Sequence, residues 1–150
     1  MSRRRNEFRN ALPAEIDKER LLEWKRHAAC ALTGATTDVT IDHFIPLEWG
    51  HGGEYAGNVY FIEKRLNESK SNMNPFRWRK KLSLTHRLDA SRWDALVRRL
   101  AEENGLTPKE FRKYVNWCEK NKRTVPEIMN DPRPSIDIWK EGKAKCPSNI

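Results

Sequence analysis

Asp42 and His43 stand side by side in the run Val39-Thr-Ile-Asp-His-Phe-Ile-Pro46. Further polar groups follow at set distances: Asn58 lies 15 residues beyond His43, Asn67 nine beyond Asn58, and Lys70 and Ser71 three and four beyond Asn67. Residues three and four apart share a helical face, so Asn67, Lys70 and Ser71 act together if that segment is helical. These residue types suit hydrolysis. A histidine with an unperturbed pKa of about 6.5 is mostly neutral at pH 7 and can take a proton from water. Neighbours on a strand point to opposite faces, so Asp42 and His43 serve one site only if the strand bends there.

The elements that must position them can be read around this run. Val39–Pro46 alternates β-branched and aromatic residues and reads as a strand ended by proline. Residues 47–57 hold Gly50, Gly52, Gly53 and Gly57, four of the seven glycines in the chain, and read as a loop. Val59-Tyr-Phe-Ile62 is a second short strand, and Glu63 to about Asn72 a short helix ending at Asn74-Pro75. Upstream, residues 1–12 read as a flexible basic arm. Pro13, with Glu15, Asp17 and Glu19 behind it, opens an amphipathic helix over roughly 14–29 carrying Leu21, Trp24 and Ala28. Downstream, Asp89 caps a helix bearing Trp93, Leu96, Val97 and Leu100, stopped at Gly105. Thr107-Pro-Lys-Glu110 is a capping box that opens a helix with Phe111, Tyr114, Val115 and Cys118. Residues beyond about 130 read as a loosely packed tail, and the outlying tryptophans as core. His51 is expected to be exposed and idle in the glycine-rich loop, and His86 is also placed outside the site.

Charge is unevenly distributed. The chain carries a formal net charge of +8. Residues 63–81 hold seven basic side chains against Glu63 and Glu68, and residues 1–9 hold Arg3, Arg4, Arg5 and Arg9 against Glu7. Those two segments account for the whole excess. A balanced body with two basic segments suits a polyanion-binding surface, with generic solubilising charge as the alternative. Anionic lipid is a weaker candidate, because no clean apolar helix face backs the basic stretch.

Asp42-His43-Phe-Ile-Pro46, a glycine-rich loop, Asn58-Val-Tyr and then Asn67-Glu-Ser-Lys70-Ser-Asn together resemble the motif of HNH endonucleases, in an H-N-N variant. The resemblance covers about residues 30–75. It implies an α+β fold with a ββα-metal (His-Me finger) centre over 39–75. N-terminal helix and turn (13–38), C-terminal helices (76–130) and the tail (131–150) would complete one domain. By the same resemblance, His43 is the general base, Asp42 and Asn67 hold one divalent cation, and Asn58 holds the hairpin loop and orients the histidine. Lys70 matches a lysine found near the scissile phosphate, although it reads equally as a solvated lysine. A carboxylate and an amide oxygen form a hard set that favours Mg²⁺, with Mn²⁺ as substitute. A structural zinc is not expected, because Cys30 has no nearby cysteine. The implied reaction is phosphodiester hydrolysis on duplex DNA, leaving 5′-phosphate and 3′-hydroxyl ends. One site cuts one strand, so a monomer nicks and double-strand cutting needs a dimer or two events. Arg3, Arg4, Arg5, Lys64, Arg65, Arg77, Arg79, Lys80 and Lys81 are the expected phosphate contacts. The competing readings are a DNA-binding module with no turnover and a basic protein packed on an acidic partner.

Composition sets the remaining bounds. One hundred and fifty residues suit one domain, and fourteen aromatic residues argue for a packed interior despite the high charge. No apolar run approaches the roughly 18–20 residues needed to cross a bilayer, and no apolar stretch follows the basic N-terminus as a signal peptide would require. Cys30, Cys118 and Cys146 are odd in number and widely spaced. A membrane protein, a disulfide scaffold and a coiled coil are thereby set aside, and a cytoplasmic protein is expected.

Overall fold

Helices, several of them opened by a side-chain cap, surround a single hairpin in the computed structural model, which describes residues 2–83 and 89–145. In chain order the elements are α1 (Arg3–Ala11), α2 (Lys18–Arg26), β1 (Val39–His43), a 3₁₀ turn (Leu47–Trp49), β2 (Val59–Glu63), α3 (Lys64–Lys70), α4 (Pro75–Ser83), α5 (Ala90–Glu103), α6 (Pro108–Lys120), α7 (Val125–Asn130) and α8 (Ser135–Lys145). The fold is α+β. β1 and β2 pair antiparallel with Asp42 opposite Tyr60 and His43 opposite Val59, and α3 follows β2 directly. His86 and Cys146 lie outside the described residues. Among the described residues, no helix is long and apolar enough to cross a membrane.

One core joins the hairpin to the C-terminal helices. Phe44, at the end of β1, lies within 5.5–5.9 Å, ring centre to ring centre, of Tyr60, Phe76, Trp93 and Phe111. Each of the last three comes from a different helix, so the hairpin is clamped by α4, α5 and α6 at once. The other hairpin face carries a smaller cluster, in which Val59 and Ile41 meet Ile16 and Leu21. The Thr107–Glu110 capping box forms as expected, and Thr124 with Glu127 makes a second one.

Three expectations are corrected. Residues 1–12 are not a flexible arm: Ser2 caps α1, and Phe8 and Leu12 are buried against Leu47 and Ile128. The second helix begins at Lys18, capped by Asp17, and ends at Arg26. Residues Pro13–Ile16 are withheld from it because Glu15 and Ile16 donate their N–H groups to the Glu54 carbonyl. Of its expected stripe, Leu21 is buried while Trp24 stays 39 % exposed, under the Arg20 guanidinium. The tail is not loose either, since α8 buries Trp139, 5.4 Å from the Tyr114 ring.

Candidate active site

The hairpin loop is built around Asn58, which is completely buried. Its side-chain oxygen accepts from the Ile45 N–H at 2.7 Å. Its amide nitrogen donates to the carbonyls of Ile45 and Gly53 at 3.2 and 2.9 Å. One side chain thus satisfies both backbone groups of Ile45 and ties them to the far side of the loop. The glycines make this closure feasible. Gly53 has φ +110°, and a Cβ there would meet the Pro13 carbonyl at 2.4 Å; Gly52 has φ +79°, and a Cβ would meet the Asn58 amide at 2.6 Å. The loop therefore needs glycine at both positions.

The residue held next to these glycines is Glu54, 5 % exposed. Its Oε2 lies 3.1 Å from His43 Nε2, and its Oε1 accepts from Arg9 Nε of α1 at 2.5 Å. Burial pushes the Glu54 carboxyl upward, but hydrogen bonds and charge from His43 and Arg9 outweigh it and hold it below its ordinary value. An ionised carboxylate can only accept, so Nε2 of His43 is the donor in this contact. Glu54 was not singled out from the sequence. Its signal was visible, as the one acidic residue between Gly50 and Gly57, whereas its partnership with Arg9 across 45 residues was not.

Asp42 faces the other way. Its Oδ2 accepts from the Tyr60 hydroxyl at 2.5 Å and from Lys70 Nζ at 3.0 Å. Lys70 is completely buried, and its ammonium also donates to the His43 carbonyl at 3.1 Å. Burial first, and the Asp42 charge second, push the Tyr60 hydroxyl well above its ordinary pKa and keep it a donor. The alternative of a solvated lysine is therefore corrected: the Lys70 ammonium is enclosed. Asn67 sits one pleat away, donating from Nδ2 to Thr40 Oγ1 at 3.1 Å. Apart from Asn58 in the loop, the site residues thus form two groups. Asp42, Asn67 and Lys70 gather on the α3 side of the hairpin, His43 turns toward Glu54 and α1, and the strand does not bring the two side chains into contact. The Lys70 bond to the His43 carbonyl is the link between them.

The residues expected to meet phosphate are on the surface, mostly in ion pairs. Arg3 pairs with Glu7, Arg4 and Arg5 both with Glu48, Arg65 with Glu63, and Arg77 with Glu119. Lys64 lies 4.0 Å from Glu68. Exposed pairs of this kind contribute little to stability, so these cations can exchange an acid for a phosphate. Lys80 and Lys81 are exposed on α4. Arg79 differs: it is half-buried, with its guanidinium 5.9 Å from the Trp93 ring centre. His51, expected to be exposed, is instead 1 % exposed. Its ring bonds the Ser135 hydroxyl at 2.8 Å and the Asn121 carbonyl at 2.6 Å, tying the loop to α6 and α8. Desolvation lowers its pKa to about 4, so it is neutral at pH 7 and structural.

Cys30 and Cys118 are buried free thiols. Among the described residues no three His, Cys, Asp or Glu side chains gather in a group able to hold a metal ion. Comparison with protein-family models, with curated proteins and with solved structures finds no match to this chain.

Proposed function

We propose that the chain is a metal-dependent endonuclease that hydrolyses phosphodiester bonds in DNA, with a ββα-metal centre formed by β1, β2 and α3. The observation that carries this reading is the Glu54 carboxylate on His43 Nε2. In a neutral ring, a donor Nε2 leaves Nδ1 as the acceptor for a proton from water, beside a loop that Asn58 holds in place. His43 is the general base in this reading, while Glu54, Arg9 and Asn58 are positioning residues. The exposed arginines and lysines supply sequence-independent contacts to the DNA backbone.

The donors on the α3 side fit a hard divalent cation such as Mg²⁺. Asp42 Oδ1 and Asn67 Oδ1 make no hydrogen bond among the described residues, since the bonds to Tyr60, Lys70 and Thr40 use the other atom of each group. Both are oxygens, and water or phosphate would fill the remaining positions. A cation bound there supplies charge neutralisation at the phosphate and the leaving 3′ oxygen. The second reading, a DNA-binding module without turnover, is favoured by the Lys70 ammonium, which already offsets the Asp42 charge, and by the separate partners of Asp42 and His43 on the regular strand β1.

The deciding experiment is conversion of supercoiled plasmid by the wild type and His43→Ala, each with Mg²⁺ and with EDTA. Nicking by wild type that vanishes in both controls is the expected result. DNA retention without conversion under any condition would replace the nuclease by the binding module.

A further inference from the structure

We infer that the cleft between α4 and α6 is a second binding surface for the phosphodiester backbone of nucleic acid. It rests on the reading that the partner is nucleic acid, and not on whether the hairpin site cuts. The cleft has a volume of about 270 Å³, and its walls carry Arg77 and Lys80 from α4 and Arg112 and Lys120 from α6, against the single acid Glu119. The α6 cations lie more than thirty residues beyond those of α4, outside both basic segments of the sequence, and only packing brings them opposite one another.

The walls are held in place before any ligand arrives. Asn74, 3 % exposed, donates to Asn116 Oδ1 and to Glu119 Oε1, both at 3.0 Å. Its own oxygen accepts from the Phe76 N–H at 3.0 Å. The Arg112 guanidinium lies 5.1 Å from the Phe76 ring centre, so the α6 cation is seated on an α4 side chain. Arg77 and Arg112, each already seated, can meet phosphate oxygens at a reduced ordering cost.

An acidic protein partner would require something else, because interface cores are built from aromatic and apolar side chains. The cleft has one aromatic ring, Phe76, and that ring already packs against Phe44 and Trp93 at 5.7 and 5.9 Å. Glu119 acts as an internal competitor. It pairs with Arg77, holding that guanidinium above its ordinary pKa chiefly through the hydrogen bond, and a phosphate would take over the same donors.

The test uses the full chain carrying His43→Ala, in EDTA, so that cleavage plays no part. Binding of a fluorescent 20-base-pair duplex is followed by anisotropy as salt is raised. Arg112→Gln/Lys120→Gln should lower the slope of log K against log salt by about 1.8, and weaken binding on the order of 10-fold or more at 0.1 M salt. Both side chains are exposed, and an unchanged circular dichroism melt confirms that the variant is folded. Glu119→Gln keeps an oxygen for Asn74 and should tighten binding with a steeper slope. An unchanged slope in the double variant, while the parent binds DNA, overturns the cleft and leaves the nuclease reading standing. Competition by inorganic phosphate at the same charge concentration as the duplex would reduce the cleft to an anion site. Equal competition by a poly-glutamate peptide would reassign it to an acidic protein, and either result overturns the proposal. Loss of all DNA binding at low salt overturns both readings together.

Discussion

Lys70→Met is the most informative single perturbation of the hairpin. The ammonium is completely buried and lies 3.0 Å from Asp42 Oδ2. Unit charges at that separation attract by about 5 kcal/mol at an effective permittivity of about 20. Most of this is offset by the several kcal/mol that desolvating a charged lysine costs, so the pair as a whole contributes little. Removing one partner is different. Methionine keeps the aliphatic stem packed but leaves Asp42 Oδ2 with the Tyr60 hydroxyl alone, in a site where the residue is 9 % exposed. An uncompensated buried charge of this kind costs about 3–5 kcal/mol. That is a large part of the roughly 5–15 kcal/mol that holds a domain folded, and corresponds to a fall in Tm of about 10 °C. Urea denaturation at pH 7, with fluorescence of the buried tryptophans as the signal, measures it directly. Asp42→Asn/Lys70→Met, which removes both charges, should recover to within about 2 kcal/mol of wild type. A Lys70→Met protein within about 1 kcal/mol of wild type would refute the reasoning, because it would mean that the ammonium is hydrated rather than enclosed.

Asn58→Ala removes the partner of three backbone groups in the buried loop, and should cost about 3 kcal/mol in urea denaturation. His51 gives a pH dependence with a defined sign. Its pKa is about 4 folded against 6.5 for the ordinary group, so the unfolded chain takes up the proton first. Stability should be full above pH 6.5 and fall by up to about 1.4 kcal/mol per unit as pH drops toward 4, a slope that His51→Gln removes. Glu54 acts lower: its folded value lies below its ordinary 4.5, so its contribution holds above that pH and is lost as pH falls through the folded value. Comparing Tm between pH 6 and 3 for wild type and Glu54→Gln shows it as a flatter acid limb in the variant. Phe8→Ala should destabilise by about 3 kcal/mol, since Phe8 is 4 % exposed in the cluster with Leu47 and Ile128; a change of a few tenths would return residues 1–12 to a disordered arm.

What the amino-acid sequence determined by itself was local. The strand pattern that begins at Val39, expected to run to Pro46 and ending at His43, the glycines of the loop, the Asp89 cap and the Thr107–Glu110 box depend on neighbours a few residues away. The two caps appear where expected, and the strand starts where expected. The order of Asp42, His43, Asn58 and Asn67 is likewise written in the chain. Tertiary structure decided which groups meet across long separations. α1 became a helix because Phe8 found Leu47 and Ile128, and Arg9 found Glu54, partners that no local pattern names. Lys70 belongs by sequence to a basic run that suggests solvent and phosphate; packing of α3 on β1 instead closed it against Asp42 and the His43 carbonyl. His51 was drawn inside for the same reason, because α6 and α8 supplied both its hydrogen-bond partners. A side chain's type states what it can bind, but burial and the partner set it meets there decide its charge and its access to ligand, and both are properties of the assembled fold.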